Sequence, residues 1–376
     1  MTADLVVVGG GVVGASVAYH LARAGVARVT VVDRGGGSTE RATGGFRAQF
    51  ASEINVRLSL LSRAKLLRFA EETGVDPGYA PRGYLFVAAG QEQLGRLRAA
   101  LAVQAAAGHT EARELSAEEV LARNPALAPE GIVGGTFSAT DGFLRPTEIQ
   151  RGYREAASRL GVRFLEGTVQ GIRRQGARLV AVETAREVLA CGGVVNAAGA
   201  WAAELGRLAG GDIPVTPLRR QMAVTEPTEA LPASMPMTIF PDGFHLRVRD
   251  GRVLLLHPSP PARDPFDTSV DPRWLDAVLA TARARLPCLR TVCIASSHAG
   301  LYEMTPDEHA LLGPAPFAEN LFLVAGSSGH GVMHAPALGQ LAAEALVEGR
   351  TRTLDASALD PRRFAEGRPN PVATLL

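Results

Sequence analysis

Cysteine is scarce in this sequence. Cys191, Cys288 and Cys293 are the only three, and no two of them form a Cys-x-x-Cys pair. An odd and widely spaced set excludes the disulfide framework of small secreted domains, and it argues against a zinc site made of thiolates. The sequence therefore favours a protein of a reducing compartment that binds no metal.

Net charge and lysine are lacking as well. Lys and Arg number 39 and Asp and Glu 38, so the formal net charge is +1. Such a balance provides no basic surface for nucleic acid or for an anionic membrane. Lys65 is the only lysine, so almost every basic side chain is an arginine.

Long hydrophobic runs are missing. The longest, at residues 5–8 and 253–256, have the length of strands, whereas a membrane-spanning helix needs roughly 20 apolar residues. The N-terminus has no basic start, and three glycines interrupt its apolar stretch, which is unlike a secretory signal. We expect a cytoplasmic protein with no membrane span. Its 376 residues, 46% of them hydrophobic, suggest two globular domains.

The first 35 residues predict a βαβ unit. Residues 5–8 have the continuous apolar character of a buried parallel strand, and residues 12–24 follow a helical pattern that Gly25 ends. A second strand at residues 29–32 leads to Asp33.

The rest of the chain alternates between helical and strand-like segments. Helical patterns cover residues 54–69, 91–125, 146–160, 272–285 and 335–347, and strand patterns cover residues 163–165, 167–173, 179–183, 193–196 and 321–324. Residues 214–262 are rich in strands, and the chain from Arg362 onward resembles a loose tail.

A glycine motif connects the first strand to the first helix. Residues 9–14 match G-x-G-x-x-G, and Asp33 follows the third glycine by 19 positions. Gly9 permits a tight turn, Gly11 lets the backbone approach a pyrophosphate, and Gly14 allows close packing of helix on strand. Asp33 would accept hydrogen bonds from ribose hydroxyls. The motif predicts a dinucleotide site but does not distinguish NAD from FAD.

Four further motifs narrow this choice. They are Thr43-Gly44-Gly45-Phe46-Arg47, Asn196-Ala197-Ala198-Gly199-Ala200-Trp201, Ala299-Gly300-Leu301-Tyr302-Glu303-Met304-Thr305-Pro306-Asp307 and Gly326-Ser327-Ser328-Gly329-His330-Gly331. In this order they resemble the FAD-dependent amine and amino-acid oxidoreductases related to D-amino-acid oxidase, glycine oxidase and sarcosine oxidase. Residues 38–47 are most similar to the β subunits of sarcosine oxidase and L-proline dehydrogenase. The resemblance extends from residue 4 to about residue 348.

The resemblance implies an α/β fold with two domains. A discontinuous, Rossmann-like FAD-binding domain would comprise residues 1–80, 140–213 and 296–376. An inserted α+β domain, built on an antiparallel sheet, would comprise residues 81–139 and 214–295 and hold the substrate.

The fingerprint and the resemblance together imply a set of FAD-binding residues. They are Gly9, Gly11, Val12, Val13, Gly14, Asp33, Arg34, Ser38, Thr39, Thr43, Gly44, Gly45, Val169, Ala198, Gly199, Trp201, Gly326, Ser328, Gly329, His330, Gly331, Val332 and Met333. Val169 is equally consistent with an ordinary strand residue, and Trp201 is expected to pack beside the adenosine half as a core residue. The glycines at 326, 329 and 331 predict a second strand–loop–helix junction, whose N–H groups would stabilise the charge of a reduced flavin.

The candidate catalytic residues are Arg47, His245, Arg247, His257, Tyr302 and His330. A substrate carboxylate favours arginine, whose guanidinium binds it through two hydrogen bonds. Arg47 matches an arginine that contacts the carboxylate in monomeric sarcosine oxidase, and Arg247 lies on a strand similar to one that borders the site in β-subunit relatives. Tyr302 stands where glycine oxidase has its carboxylate arginine. The roles of His257 and of the His330 side chain stay open between catalysis and structure.

The sequence departs from monomeric sarcosine oxidase at three positions. Gly300 replaces the cysteine that links that enzyme to its flavin, which implies noncovalent FAD. Met333 replaces its carboxylate-binding lysine. An apolar residue, expected to be Leu255, replaces the lysine that promotes the reaction with oxygen, which favours a dehydrogenase over an efficient oxidase.

The resulting hypothesis is an FAD-dependent oxidation of the C–N bond of a small amino acid or N-methyl amino acid, similar to sarcosine, glycine or proline. Hydride transfer to flavin N5 would give an imine that water hydrolyses. Three alternatives stay open. They are a dehydrogenase subunit that passes electrons to a partner or acceptor, a flavin-binding subunit without turnover, and an NAD-dependent dehydrogenase.

Overall fold

A computed structural model describes residues 3–372 and 375. Its helices are α1 (Val12–Arg23), α2 (Glu53–Leu66), α3 (Phe69–Thr73), α4 (Gln91–Ala106), α5 (Ala117–Arg123), α6 (Pro146–Arg159), α7 (Ala202–Leu208), α8 (Pro272–Arg285) and α9 (Gly331–Glu348). Its strands are β1 (Ala3–Val8), β2 (Val29–Asp33), β3 (Gly45–Phe46), β4 (Tyr84–Ala88), β5 (Ala112–Ser116), β6 (Gly134–Ser138), β7 (Gly142–Phe143), β8 (Arg163–Glu166), β9 (Val169–Gln175), β10 (Arg178–Thr184), β11 (Val188–Asn196), β12 (Thr216–Thr225), β13 (Met237–Ile239), β14 (His245–Arg249), β15 (Arg252–Leu256), β16 (Ile294–Met304), β17 (Leu311–Pro314) and β18 (Leu321–Ala325).

The first sheet has a parallel centre. The strand order is β17-β18-β11-β1-β2-β8, and β1, β2, β8, β11 and β18 pair in parallel. Apolar side chains of β1 are buried on both faces because α1, α6 and α9 cover one face, while α7 and the β9–β10 hairpin cover the other. This arrangement confirms the predicted Rossmann-like α/β architecture.

The second sheet has the strand order β16-β12-β15-β14-β13-β4-β6-β5. Its pairs are antiparallel, as predicted, except that β13 and β4 pair in parallel. No hairpin joins these two strands, so no turn dictates their direction. Helix α8 packs on this sheet through Trp274 and Val278. The predicted domain bounds stay a prediction, and their residues 1, 2, 373, 374 and 376 lie outside the described residues.

The prediction of a continuous helix over residues 91–125 is wrong. Helix α4 stops before Gly108, which adopts a φ of +100°, and β5 then pairs with β6. Helix α5 starts at Ala117 and is capped by Ser116, whose hydroxyl accepts from the Glu119 N–H while the Glu119 carboxylate accepts from the Ser116 N–H. The composition of this segment, rich in Ala, Glu, Leu and Arg, hides the interruption because it favours helix throughout.

Helix α9 begins at Gly331 rather than near Ala335 as predicted. Pro336 therefore lies inside the helix, where it cannot donate a hydrogen bond. Packing offsets that loss, because α9 is buried against α1 and α2. The earlier start brings the first turn of α9 to the end of the predicted glycine loop.

The interpretation of the chain from Arg362 onward as a loose tail is also wrong over the described residues. Arg363 is buried and donates through Nε and NH2 to the Asp307 carboxylate at 2.7 and 2.9 Å. Burial opposes ionisation of Asp307, but these hydrogen bonds and that from the Asn370 N–H hold its pKa below the usual range. The pair fastens this segment to the loop that carries His309. No helix among residues 3–372 is long and apolar enough to cross a membrane.

Replacing Arg363 tests this anchor. Both members of the Arg363–Asp307 pair are 1% exposed, so Arg363→Met leaves a buried carboxylate without its cation. We expect a loss of about 3–5 kcal/mol in the free energy of unfolding, measured by urea denaturation. Arg362→Met is the matched control, because Arg362 pairs with Asp360 in solvent, and its unfolding midpoint should equal that of the wild type. Equal midpoints for both variants would contradict the anchoring role.

Candidate active site

Residues of both sheets line one long cavity of about 690 Å³. Gly9, Asp33 and Trp201 line it on the side of the parallel sheet, and Tyr84 and His245 line it on the side of the second sheet. The cavity lies at the carboxyl ends of β1, β2 and β11, which is where open α/β sheets bind ligands.

The turn from β1 into α1 is built for close approach of the backbone. Gly9 has a φ of +101°, and a Cβ there would lie 2.2 Å from the Ala197 carbonyl oxygen. A Cβ on Gly14 would lie 1.9 Å from the Gly9 carbonyl oxygen. The Val12 N–H donates to the Thr39 hydroxyl at 3.0 Å. Only glycine fits at these two positions, and the start of α1 faces the cavity.

The end of β2 brings two residues, Asp33 and Arg34, to the cavity. Asp33 is half-buried and packs against Gly10, where a Cβ would lie 2.9 Å from that of Asp33. The Arg34 guanidinium carbon lies 3.7 Å from the centre of the Trp201 ring, which also stacks on Phe266. Trp201 is half-buried and lines the cavity, so the expectation that it is a core residue is wrong.

A second helix also points its N-terminus at the cavity. Helix α9 has no side-chain cap at its start and no acidic residue in its first turn, and Gly331, Val332 and Met333 all line the cavity. Gly329 has a φ of +89°, and a Cβ there would lie 2.4 Å from a Tyr302 ring carbon. Backbone N–H groups and the positive end of the helix dipole therefore meet this part of the cavity.

Nearly all the predicted cofactor residues line this cavity. Gly14 and Gly326 are the exceptions: Gly14 packs α1 on β1, and the Gly326 N–H donates to Glu303 Oε2 at 3.0 Å. The site therefore fits FAD by three observations. One helix N-terminus suits a pyrophosphate, an acid at a strand end suits a ribose, and a second helix N-terminus suits a flavin ring that gains negative charge.

Glu303 is a cavity residue that the sequence indicated only as part of a motif. Its carboxyl is deeply placed, and burial raises its pKa. It accepts from the Gly326 N–H and lies beside Gly331, where a Cβ would be 3.7 Å from Glu303 Oε1. Through these contacts Glu303 supports the glycine loop at residues 326–331.

Arg47 lines the cavity as a buried cation. Its guanidinium donates to the Gln49 carbonyl and, at 3.3 Å, to His330 Nε2, and it lies 3.8 Å from the Phe50 ring centre. Among the described residues no carboxylate lies within 4.0 Å of it, and burial lowers its pKa. The charges of Asp141 and Glu308 act on Arg47 only from beyond 4.0 Å. A buried guanidinium with no directly paired anion is costly, so the site suits an anionic ligand.

Burial keeps two of the cavity histidines, His245 and His330, neutral. His330 accepts from Arg47, and burial together with the Arg47 charge holds its pKa well below the usual value. Burial lowers the pKa of His245 to about 4, and its Nδ1–H donates to the Gly243 carbonyl at 2.8 Å. His257 lines the cavity too, with Nε2 3.3 Å from an Asp242 oxygen.

Arg247 does not line the cavity. Its guanidinium donates to the Thr43 and Gly44 carbonyls at 2.7 and 3.1 Å and lies 3.6 Å from the Phe143 ring centre. Burial lowers its pKa to about 10. The structure contradicts its selection as a carboxylate ligand and indicates that it supports the Thr43–Gly44 backbone from behind.

Arg220 is a cavity residue that no sequence motif indicated. It lies on β12 directly opposite Gly300 of β16, is half-buried, lines the cavity, and has its guanidinium carbon 5.5 Å from the Tyr302 ring centre. Burial raises the pKa of the Tyr302 hydroxyl, so Tyr302 is a neutral donor. One signal was present in the sequence: alternation along a strand puts residues 218, 220 and 222 on one face.

Leu255, the residue expected to replace the oxygen-promoting lysine, does not line the cavity. Leu255 is fully buried in the core of the second sheet, whereas the next residue, Leu256, lines the cavity. A shift of one residue along a strand changes the face. Both are leucines, so the absence of a lysine from this strand is unchanged.

Comparisons with known proteins agree with this geometry. The family model described as FAD dependent oxidoreductase (DAO) matches residues 4–345. Mitochondrial sarcosine dehydrogenase of Mus musculus is 30% identical over 96% of this chain and 41% of its own length. The structure of L-proline dehydrogenase from P. horikoshii is 29% identical, with a TM-score of 0.91 over 98% of this chain and 99% of that chain. Glycine oxidase from Geobacillus kaustophilus is 27% identical, with a TM-score of 0.85 over 96% and 98%.

Gly300 generates a prediction about how FAD is held. A Cβ at this cavity position would lie 3.1 Å from the Arg41 Cβ, and glycine offers no atom for a covalent link. We expect acid precipitation of the purified protein to release all yellow colour into the supernatant. Colour that stays in the washed pellet would show a covalent flavin at another residue.

Proposed function

Because the chain belongs to the family of FAD-dependent oxidoreductases, we propose that it oxidises the C–N bond of a small amino acid or N-methyl amino acid. The observation that carries this proposal is the buried guanidinium of Arg47, which has no carboxylate of the described residues within 4.0 Å and lies beside the start of α9. The names of three relatives support the substrate class, since those proteins act on sarcosine, L-proline and glycine.

The FAD site in this proposal uses both helix N-termini. The start of α1 would hold the pyrophosphate, Asp33 the ribose hydroxyls, and the start of α9 the flavin. Bound FAD supplies the redox chemistry by accepting a hydride from the carbon attached to the amine nitrogen.

The chain's own residues bind and orient the substrate. Arg47 binds the carboxylate, for which three of its five N–H groups stay available after its bonds to Gln49 and His330. Tyr302 offers a neutral hydroxyl to the same cavity. Holding the carboxylate at one end leaves the substrate carbon a single orientation in the cavity.

The same cations favour the neutral form of the substrate amine. Arg47 and Arg220 are both charged, and a second positive charge beside them is disfavoured, which lowers the pKa of an ammonium group. His330 and His245 are neutral at pH 7, so neither carries the additional proton that would convert the amine to an ammonium group. An uncharged amine has the lone pair that an imine product requires.

The electron acceptor is proposed to be something other than oxygen. Lys65 lies on α2 and does not line the cavity, and Leu256 occupies the strand position that faces it. Burial keeps His245 and His330 neutral, and in this proposal the charge of Arg47 is paired with the substrate carboxylate, so less positive charge is left to stabilise superoxide. A dye, a quinone-like acceptor or a partner protein fits better. A subunit that binds flavin without turnover is the alternative.

Replacing Arg47 tests the carboxylate site. Loss of a desolvated, charge-assisted hydrogen-bond pair should cost about 2–4 kcal/mol, so Arg47→Met should reduce kcat/KM by roughly 30-fold to 1000-fold. The variant should retain its flavin, because the predicted FAD contacts lie elsewhere. Arg362→Met, on the surface, is the control for the substitution itself. Normal kcat/KM for Arg47→Met on carboxylated substrates would place the carboxylate site elsewhere.

The choice of acceptor has a separate test. We expect stopped-flow reoxidation of the substrate-reduced enzyme in air-saturated buffer to be slower than turnover with an artificial acceptor dye. The physical reason is the absence of a lysine from the cavity side of β15. Reoxidation by air that keeps pace with turnover on the dye would identify an oxidase.

A further inference from the structure

Four arginines line the cavity: Arg34 lies over the Trp201 ring, Arg41 donates to the Ala299 carbonyl, and Arg47 and Arg220 lie near His245. Arg47 and Arg220 enter the cavity from different parts of the chain, and both charges lower the pKa of His245, which lies near both. Neither guanidinium has a carboxylate within 4.0 Å among the described residues. Five acids line the cavity: Asp33, Glu204, Asp242, Glu303 and Glu308. Asp242 is paired with Arg285, Glu303 accepts from the Gly326 N–H, and the charge of Glu308 acts on Arg47 from beyond 4.0 Å.

Arg220 differs from Arg47 in having all its donors free. Within the described part of the chain its guanidinium has no hydrogen-bond partner, and its nearest aromatic neighbour is Tyr302. Its direction is set by the sheet, because directly paired residues of antiparallel strands share a face and Arg220 pairs with Gly300. The neighbouring Arg219 points to the opposite face, where it binds Asp267 at 2.8 Å and the Ser269 carbonyl at 3.1 Å.

We propose that the substrate is a dicarboxylic amine, in which Arg47 binds the carboxylate next to the reacting carbon and Arg220 binds a second carboxylate. This inference rests on the proposed function and narrows its substrate class. A half-buried guanidinium with five free N–H groups gains most from a planar anion that accepts two of them. A neutral side chain at that position would leave the cation uncompensated.

Two pairs of probes isolate the second carboxylate. N-(carboxymethyl)glycine and N-methylglycine share the amine and one carboxylate, and only the first has another. Glutarate and butyrate are their analogues with CH₂ in place of NH, so they bind without being oxidised. Dissociation constants for glutarate and butyrate come from perturbation of the flavin absorption of the holoenzyme, and kcat/KM for the two amines comes from dye reduction.

The wild type should bind glutarate at least about 30-fold more tightly than butyrate, and it should favour N-(carboxymethyl)glycine by a similar factor. Arg220→Met should remove this preference while changing butyrate binding less than about 3-fold. Arg220→Lys should restore part of the preference for glutarate, because lysine keeps the positive charge but lacks the two parallel N–H donors of a guanidinium. Arg219→Met, on the opposite face of the same strand, should keep the wild-type preference.

Each other outcome has a distinct meaning. Equal binding of glutarate and butyrate by the wild type overturns the proposal, and so does an Arg220→Met variant that weakens both ligands alike, which would make Arg220 a ligand of the first carboxylate. In both cases oxidation of N-methylglycine would leave the proposed function standing. Oxidation of neither amine, with glutarate still bound through Arg220, would contradict the reaction but retain the dicarboxylate site.

Discussion

The parallel pairing of β11 with both β1 and β18 is the constraint on which the site depends. Val8 pairs with Asn196, and Asn196 pairs with Leu323, so two glycine loops leave the sheet at the same edge. Both loops lead into helices, α1 and α9. These helices pack so closely at Gly339 of α9 that a Cβ there would lie 2.1 Å from the Ser16 hydroxyl of α1. Two helix N-termini therefore converge on one cavity.

The two sides of that cavity present different charged groups. The parallel sheet contributes backbone N–H groups and Asp33, which suit a nucleotide. The second sheet and the segment after Thr43 contribute guanidinium groups that lack anions, which suit an acidic substrate. Burial keeps the histidines between these groups neutral, so the charge difference persists at neutral pH. One cavity thus offers separate surfaces to a dinucleotide and to an anionic amine.

The sequence predicts the nucleotide half far better than the substrate half. Gly9, Gly11 and Asp33 lie within one βαβ unit, so spacing alone relates them. Arg220 and Arg47 line one cavity only because of the tertiary fold. In a sequence with 38 arginines, no local pattern distinguishes these two from the others. Alternation along β14 could not reveal that Arg247 faces the back of the Thr43 loop. The Arg363–Asp307 pair joins residues 56 positions apart, which is beyond the range of any local pattern.

We propose that this cavity oxidises a carboxylated amine with FAD. Anaerobic mixing of the purified holoenzyme with a panel of amino acids, N-methyl amino acids and their decarboxylated counterparts tests it most directly, with the visible flavin absorption as the readout. We expect carboxylated amines to bleach the flavin and the counterparts to leave it oxidised. Bleaching by neither group, or equal bleaching by both, would contradict the claim.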